Sequence, residues 1–372
     1  MTGSPTLAKA LVGMKLLDRY LIRGRINGGQ FSDVFQSDDE VANVPVAVKV
    51  LKPGSHSSDV ADFDLERDML DRLATASNVV DLVDFGEYDW QLTDPVSGNA
   101  VEIPLRFQVL EWADASLADL VADRTRLSWS DRLLLLRGVA KGMLQCHRNG
   151  VLHRDAKSEN VLVFPLGGRA DAKLADLGRG RFMGADPRSS PEIYKRGRGD
   201  IRFAPPEFLW AVAVDDDDSW LAGDLYAVGS VLFELGTGIG VTSLVFGNPA
   251  AIQATMATKK YRVREREFRS ALPTIRAEYE TAFELLEADL PPAIRVEAMR
   301  LVRVLCDPDP ARRQPLRVGS ATSATAIGEW ALRRIDILRL ALSIAERQAV
   351  ELEEKRERRR KRDERKEGTG RE

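Results

Sequence analysis

The chain has 372 residues, with 54 Lys and Arg against 57 Asp and Glu and a formal net charge of −3. Its 44% hydrophobic and 30% charged content excludes wholly disordered, fibrous and membrane-embedded classes, and the near-neutral balance gives no reason to expect nucleic-acid binding. Two cysteines, Cys146 and Cys306, and three histidines offer neither a disulfide framework nor a zinc site.

No apolar run reaches the roughly 18 residues of a membrane span; the best candidate, 335–349, is broken by Arg339, Glu346 and Arg347. Residues 1–17 lack the apolar core and cleavage site of a secretory signal. The expected setting is cytoplasmic, with both thiols reduced.

The first part of the chain reads as β-rich. Residues 19–35 end in an alternating Phe31–Val34–Phe35 pattern, and Val44–Leu51 (VPVAVKVL) is dense in β-branched residues. A helix is expected over Phe63–Ala74, where Phe63, Leu65, Met69, Leu70 and Leu73 fall at helical spacing. Strand-like runs resume at Asn78–Phe85 and Leu105–Glu111. From about Ser116 the pattern turns helical, over Leu117–Val121, Leu133–Arg148 and Asp224–Leu235. Trp112–Ala115 therefore reads as a hinge between a small β-rich lobe and a larger helical one. Asp215–Asp218, four consecutive acids, reads as a solvated loop. Residues 321–367 read as one long helix, and its tail at 355–366 holds nine basic and three acidic residues.

The chemistry concentrates in Val151–Val163, VLHRDAKSENVLV. A polar His-Arg-Asp-x-Lys-x-x-Asn cluster sits between two apolar runs, which fits a loop held by short strands with Asp155, Lys157 and Asn160 directed at one place. Sixteen residues after Asn160 comes Asp176-Leu177-Gly178, again behind an apolar run. Asp176 and Asn160 offer the hard oxygen donors that Mg²⁺ prefers.

This pattern resembles that of the protein kinase family. HRDAKSEN resembles its catalytic loop, and DLG its metal-binding DFG motif with Leu177 in place of Phe. Val46-Ala47-Val48-Lys49 resembles the third-strand motif whose lysine holds the α- and β-phosphates, and Glu66 stands where the family places that lysine's ion-pair partner. Pro205-Pro206-Glu207 resembles the APE motif, Asp224 the buried aspartate of the following long helix, and Arg313 the arginine that pairs with the APE glutamate. The resemblance covers roughly residues 20–315 in complete order.

It implies an α+β, two-lobed fold: a nucleotide-binding lobe at 20–112, a catalytic lobe with the activation segment and substrate platform at 113–320, and a helical, charged extension at 321–372. It also implies ATP and Mg²⁺ as cofactors. Asp155 would accept the hydroxyl proton, Lys157 would stabilise the transferring phosphoryl, Lys49 and Glu66 would hold phosphates, and Asn160 and Asp176 would hold metal. Nucleotide contacts would come from Ile26, Gly28, Gly29, Val34, Ala47, Lys49, Leu162 and the backbone of Glu111 and Ala113. His153, Leu177, Leu70 and Leu82 occupy positions resembling the family's packing stack between lobes. The implied activity is γ-phosphoryl transfer to serine or threonine of protein substrates, with autophosphorylation. Lys157 favours that acceptor over tyrosine, and the Glu207 and Arg313 positions favour a protein over a small-molecule acceptor. The alternative is a catalytically impaired pseudokinase serving as a scaffold.

The chain departs from the family in three places. In Ile26-Asn27-Gly28-Gly29-Gln30-Phe31-Ser32-Asp33-Val34 only the middle glycine of the G-x-G-x-x-G-x-V pattern, Gly29, is kept. Asp200 replaces the threonine common in serine/threonine kinases, so it either pairs with Lys157 or repels Asp155. The interval from Asp224 to Arg313 is long and contains a basic stretch, Lys259–Arg269, without an assigned role. Two expectations complete the reading. The activation segment carries Ser189, Ser190 and Tyr194 near its middle, and phosphorylation at Ser189 or Ser190 would relieve repulsion among Arg154, Arg179, Arg181, Arg188, Lys195, Arg196, Arg198 and Arg202, unless Asp186, Glu192 or Asp200 already supplies the counter-charge. Ile335, Leu338, Leu342, Ala345, Ala349 and Leu352 form a short seam for a homodimer, a partner helix or the chain's own helical lobe.

Overall fold

Strand propensity and period-two burial build the first lobe of the computed structural model, which describes residues 5–29, 31–93, 100–123, 127–166, 169–184, 200–214, 216–313 and 324–368. After a short helix α1 (Pro5–Leu11) come β1 (Lys15–Leu16), β2 (Tyr20–Gly28), β3 (Ser32–Asp39) and β4 (Val44–Leu51). They join β5 (Leu82–Thr93) and β6 (Ala100–Glu111) in one antiparallel sheet of order β1-β2-β3-β4-β6-β5. In β4, Val46, Val48 and Val50 are buried with Phe35, Phe107 and Val109 on one face. Alternation turns Ala47 and Lys49 to the opposite face.

Helix α2 (Ser57–Arg72) lies between β4 and β5 and buries Phe63, Glu66, Met69 and Leu70. It starts six residues before the expected span, because its first turn, Ser57–Asp62, carries no apolar period. The segment 78–81 is not part of the expected strand. Leu174 donates its N–H to the Asn78 carbonyl at 2.9 Å and accepts from Val80 at 2.8 Å, so these residues tie the two lobes together before β5 begins. A side chain at Gly142 would collide with the Asn78 carbonyl, which is why glycine stands there.

In the second lobe, β7 (Ala115–Ser116) and α3 (Leu117–Ala122) lead into α4 (Trp129–Arg148) and β8 (Val151–Leu152). A 3₁₀ turn at Ser158–Asn160, β9 (Val161–Leu166), β10 (Arg169–Leu174) and β11 (Arg181–Phe182) follow. The helices are α5 (Pro206–Leu209), α6 (Asp217–Thr237), α7 (Val241–Phe246), α8 (Pro249–Ala257), α9 (Tyr261–Asp289), α10 (Arg295–Leu305), α11 (Pro310–Arg313) and α12 (Ala324–Gly368). Helix α6 is buried nearly all round, as befits an apolar central helix.

The acidic run proves to be a helix start rather than only a solvated loop. Asp216 caps α6, accepting from the Ser219 N–H at 2.8 Å, and Asp217 pairs with Arg181 at 2.8 Å; Asp215 lies outside the described residues. The basic stretch at 259–269 also finds a structural place. It runs into the first turns of α9, where Lys259 pairs with Glu267 and Arg269 with Glu265 while Phe268 is buried.

Helix α12 packs along α4. Ala331, Ile335, Leu338 and Leu342 are buried in the main core. Arg137–Asp336, Arg148–Glu329 and Arg334–Glu297 pairs flank them at 2.6, 2.7 and 3.0 Å. The first half of the expected seam is therefore used by the chain's own helical lobe, whereas Ala349 and Leu352 are exposed. Among the described residues no helix is long and apolar enough to cross a membrane.

Candidate active site

Lys49 stands at the centre of the cleft. Its Nζ lies 2.7 Å from Glu66 Oε2 on α2 and 2.9 Å from Asp176 Oδ1 in the loop after β10. Burial alone would lower the lysine's pKa, but the Asp176 and Glu66 carboxylates outweigh it and raise it, so the ammonium stays charged. The Lys49 charge in turn holds the Asp176 carboxyl down to about 2. Leu177 donates a backbone hydrogen bond to Glu66, joining α2 to the DLG turn.

The 153–160 loop hangs from α6. Asp224 accepts from the backbone N–H of His153 at 2.9 Å and of Arg154 at 2.7 Å, and its Oδ2 lies 2.9 Å from His147 Nε2. This clamp fixes Arg154 at φ 67° and Asp176 follows at φ 58°; non-glycine residues hold such values only where the surroundings dictate them. His153 is fully buried, and burial lowers its pKa, which makes it a neutral packing residue. Leu70 and Leu177 belong to one core, against which Leu82 also packs.

Asp155 is pushed up to about 6, chiefly by burial. Asn160 Nδ2 donates to the Asp155 carbonyl at 2.8 Å and to Oδ2 at 3.3 Å. Lys157 Nζ is 3.8 Å from Asp155 and 3.2 Å from Asp200. Both alternatives for Asp200 are met: it pairs with Lys157, and its charge adds a smaller contribution to raising Asp155. Behind the loop, Arg313 donates to Glu207 at 2.5 Å and to the Ala222 carbonyl at 3.0 Å, both side chains being buried.

A cavity of about 560 Å³ gathers Gly29, Lys49, Glu66, Asp155, Lys157 and Asp176, and extends to Phe31, Asp200 and Arg202. Asn160 adjoins it through Asp155. The hinge-side residues Val34, Ala47, Leu162, Glu111 and Ala113 are half-buried and outside this cavity's wall, and Ile26 is 53% exposed. The Arg25–Asp33 ion pair, 2.7 Å, crosses the β2–β3 turn over Gly28, so a side chain there would displace the Arg25 guanidinium.

Three residue groups at the site carried no sequence signal. Arg25 and Asp33 brace the glycine-rich turn. Lys173 contacts Glu111 at 2.5 Å and Asp81 at 3.2 Å, pinning the hinge from behind. Ser158 donates to Glu234 at 2.7 Å, and burial pushes this glutamate up to about 7. Each is a non-local pair of residue types common on surfaces, so spacing along the chain does not betray it.

The expected phosphorylation sites Ser189 and Ser190 lie outside the described residues, as do Tyr194, Arg188, Lys195, Arg196 and Arg198. The expected mutual repulsion is relieved at three of the remaining cations. Arg181 pairs with Asp217, Arg202 pairs with Asp200, and Arg154 is buried with its guanidinium 3.9 Å from the Trp220 ring centre.

The family described as "Protein kinase domain" matches residues 20–321. The chain belongs to the protein kinase family. Among curated proteins it is 29% identical over 217 residues to "Cyclin-dependent kinase D-1" of Oryza sativa subsp. indica, covering 57% of this chain and 46% of that protein. It is 26% identical over 231 residues to "Probable serine/threonine-protein kinase PknB" of Lactococcus lactis, covering 61% and 33%. It is 30% identical over 227 residues to "Serine/threonine-protein kinase PknL" of Mycobacterium tuberculosis, covering 60% and 50%. The chain thus spans half or less of the length of these relatives.

Proposed function

We propose that this chain is a Mg·ATP-dependent protein kinase that transfers the γ-phosphoryl group to serine or threonine hydroxyls of protein substrates, itself included. The observation that carries the reading is Lys49 held between Glu66 and Asp176, with Asp155 and Lys157 opening onto the same cavity. A pseudokinase scaffold has no need of that whole set in register.

The donor chemistry fits Mg²⁺. Asp176 is ionised and half-exposed toward the cleft, and Asn160 adds an amide oxygen. Among the described residues no group of three His, Cys, Asp or Glu could hold a metal, and Mg²⁺ is commonly held by one or two carboxylates together with substrate phosphates. When bound, the ion would neutralise charge on the phosphates. Lys49 would orient the α- and β-phosphates, Asp155 would receive the hydroxyl proton, and Lys157 would meet charge developing on the transferred group. The Glu207–Arg313 pair supports a rigid platform for a protein acceptor, and relatives named as serine/threonine kinases support the acceptor type. Two buried free thiols support a cytoplasmic setting.

The test is phosphoryl transfer from labelled ATP to the chain itself and to a general acceptor protein. Asp155→Asn should keep Mg·ATP binding and lower turnover by about 10²-fold or more. Asp176→Asn should weaken Mg²⁺-dependent nucleotide binding. Nucleotide binding without transfer by the wild-type chain would refute the kinase reading in favour of a scaffold, and wild-type rates in both variants would refute the roles given to Asp155 and Asp176.

A further inference from the structure

We propose that Asp200 is a positioning residue for phosphoryl transfer, holding the Lys157 ammonium by charge while Arg202 holds Asp200; this role rests on the phosphotransfer reading above. A carboxylate in this position makes contacts that a hydroxyl would not. Its Oδ2 lies 3.2 Å from Lys157 Nζ, closer than the 3.8 Å from Asp155 Oδ2 to the same nitrogen. Arg202 grips both oxygens, with Nη2 at 2.5 Å from Oδ2 and Nε at 2.9 Å from Oδ1, and its backbone N–H adds a third bond at 3.0 Å. The fork geometry of guanidinium and carboxylate makes this a strong and directional pair.

Arg202 then reaches Glu159 at 3.3 Å, back on the catalytic loop. Lys157, Asp200, Arg202 and Glu159 therefore form a run of alternating charges that leaves the loop at residue 157 and rejoins it at residue 159. The Asp200 side chain is 11% exposed and Lys157 16%, so their attraction is only partly screened by water. Without Asp200, the anion left within 4 Å of Lys157 Nζ is Asp155, with Glu159 contributing at longer range. The ammonium would then close on the group that must receive the hydroxyl proton and withdraw from the phosphoryl group. Arg202 acts through the same contact, fixing both Asp200 oxygens so that the carboxylate stays on Lys157.

The experiment is a double-mutant cycle on the full chain, with Mg·ATP and a general acceptor protein. Asp200→Asn keeps the shape and removes the charge. It should lower kcat about tenfold or more, with the KM for ATP within about twofold of wild type and Mg·ATP binding retained. In a Lys157→Met background the same substitution should change the residual rate by less than about twofold, since there is no ammonium left to hold. Asp200→Glu should recover part of the loss. Wild-type kcat in Asp200→Asn, or an equal loss with and without Lys157, would overturn the proposal. Should Asp200→Asn not fold, Arg202→Gln carries the test at a side chain that is 60% exposed. A roughly threefold or larger fall in kcat that vanishes in the Lys157→Met background supports the proposal, and an unchanged kcat overturns it. A wild-type chain that binds Mg·ATP yet transfers nothing would instead overturn the kinase reading, and would do so before any variant is compared.

Discussion

Above pH 6 Asp155 is ionised in surroundings that disfavour the charge, because burial raises its carboxyl from 3.8 to about 6. The folded state then binds this proton more tightly than the unfolded chain does. Stability contributed here is fully present below pH 4 and is lost as the pH rises through 6, a loss of about 3 kcal/mol. The proposed reaction has the opposite demand, since only the anion accepts a proton, so kcat/KM, which reports the free enzyme, should fall as the pH drops through about 6. Asp155→Asn should therefore be slower but more stable. Its melting temperature should exceed that of wild type at pH 8, and the difference should shrink toward pH 5. A difference independent of pH would show that the ionised carboxylate costs the fold nothing.

At the scale of elements, α12 offers an internal comparison. Leu338 is fully buried against the helical lobe, while Leu352 on the same helix is 55% exposed. Leu338→Ala should cost about 3 kcal/mol, seen as an earlier unfolding midpoint in denaturant. Leu352→Ala should stay within about 0.5 kcal/mol of wild type. Equal effects would mean that the helix does not dock as described.

The elements also show what the sequence discloses and what it conceals. Val44–Leu51 reads as a strand and forms β4 over the same residues, because β-branching and alternation act within the segment. The start of α2 is hidden in the polar Ser57–Asp62 turn, whose helix follows from docking and not from an apolar period. The β-branched Val79 and Val80 look like the start of a strand, yet the backbone partner of segment 78–81 lies in the other lobe. The site follows the same rule. Asp155, Lys157 and Asn160 are legible because a single short loop holds all three. Glu111 is legible at the hinge only for its backbone, while the Lys173 contact to its side chain needs the folded chain.

For the whole molecule, the pairs that join distant segments matter most. Glu207 and Arg313 are 106 residues apart and almost wholly buried. Removing one partner of such a pair leaves a bare charge in the interior, at a cost of about 3–5 kcal/mol. Arg313→Met should therefore destabilise strongly, and adding Glu207→Gln should restore part of the loss. Chemical denaturation of the two single variants and the double variant would measure this coupling, and additive effects would contradict it. Across the hinge, the Lys173 contacts to Glu111 and Asp81 join β10 in the second lobe to segments of the first, and Lys49 adds a second join through Asp176.

Beyond Leu342 the side chains of α12 from 346 to 361 are all exposed, while the helix itself continues to Gly368. Glu354–Arg358 and Glu357–Lys361 pairs one turn apart help to hold it in helical form. At 1.5 Å per residue this stretch is a rod of about 35 Å, whereas a flexible tether of the same number of residues would have an average reach of about 26 Å and would sweep a whole volume. A rod presents its tip at one radius from the body. Anything carried there meets the kinase body from a set distance, so its encounter is governed by geometry more than by local concentration.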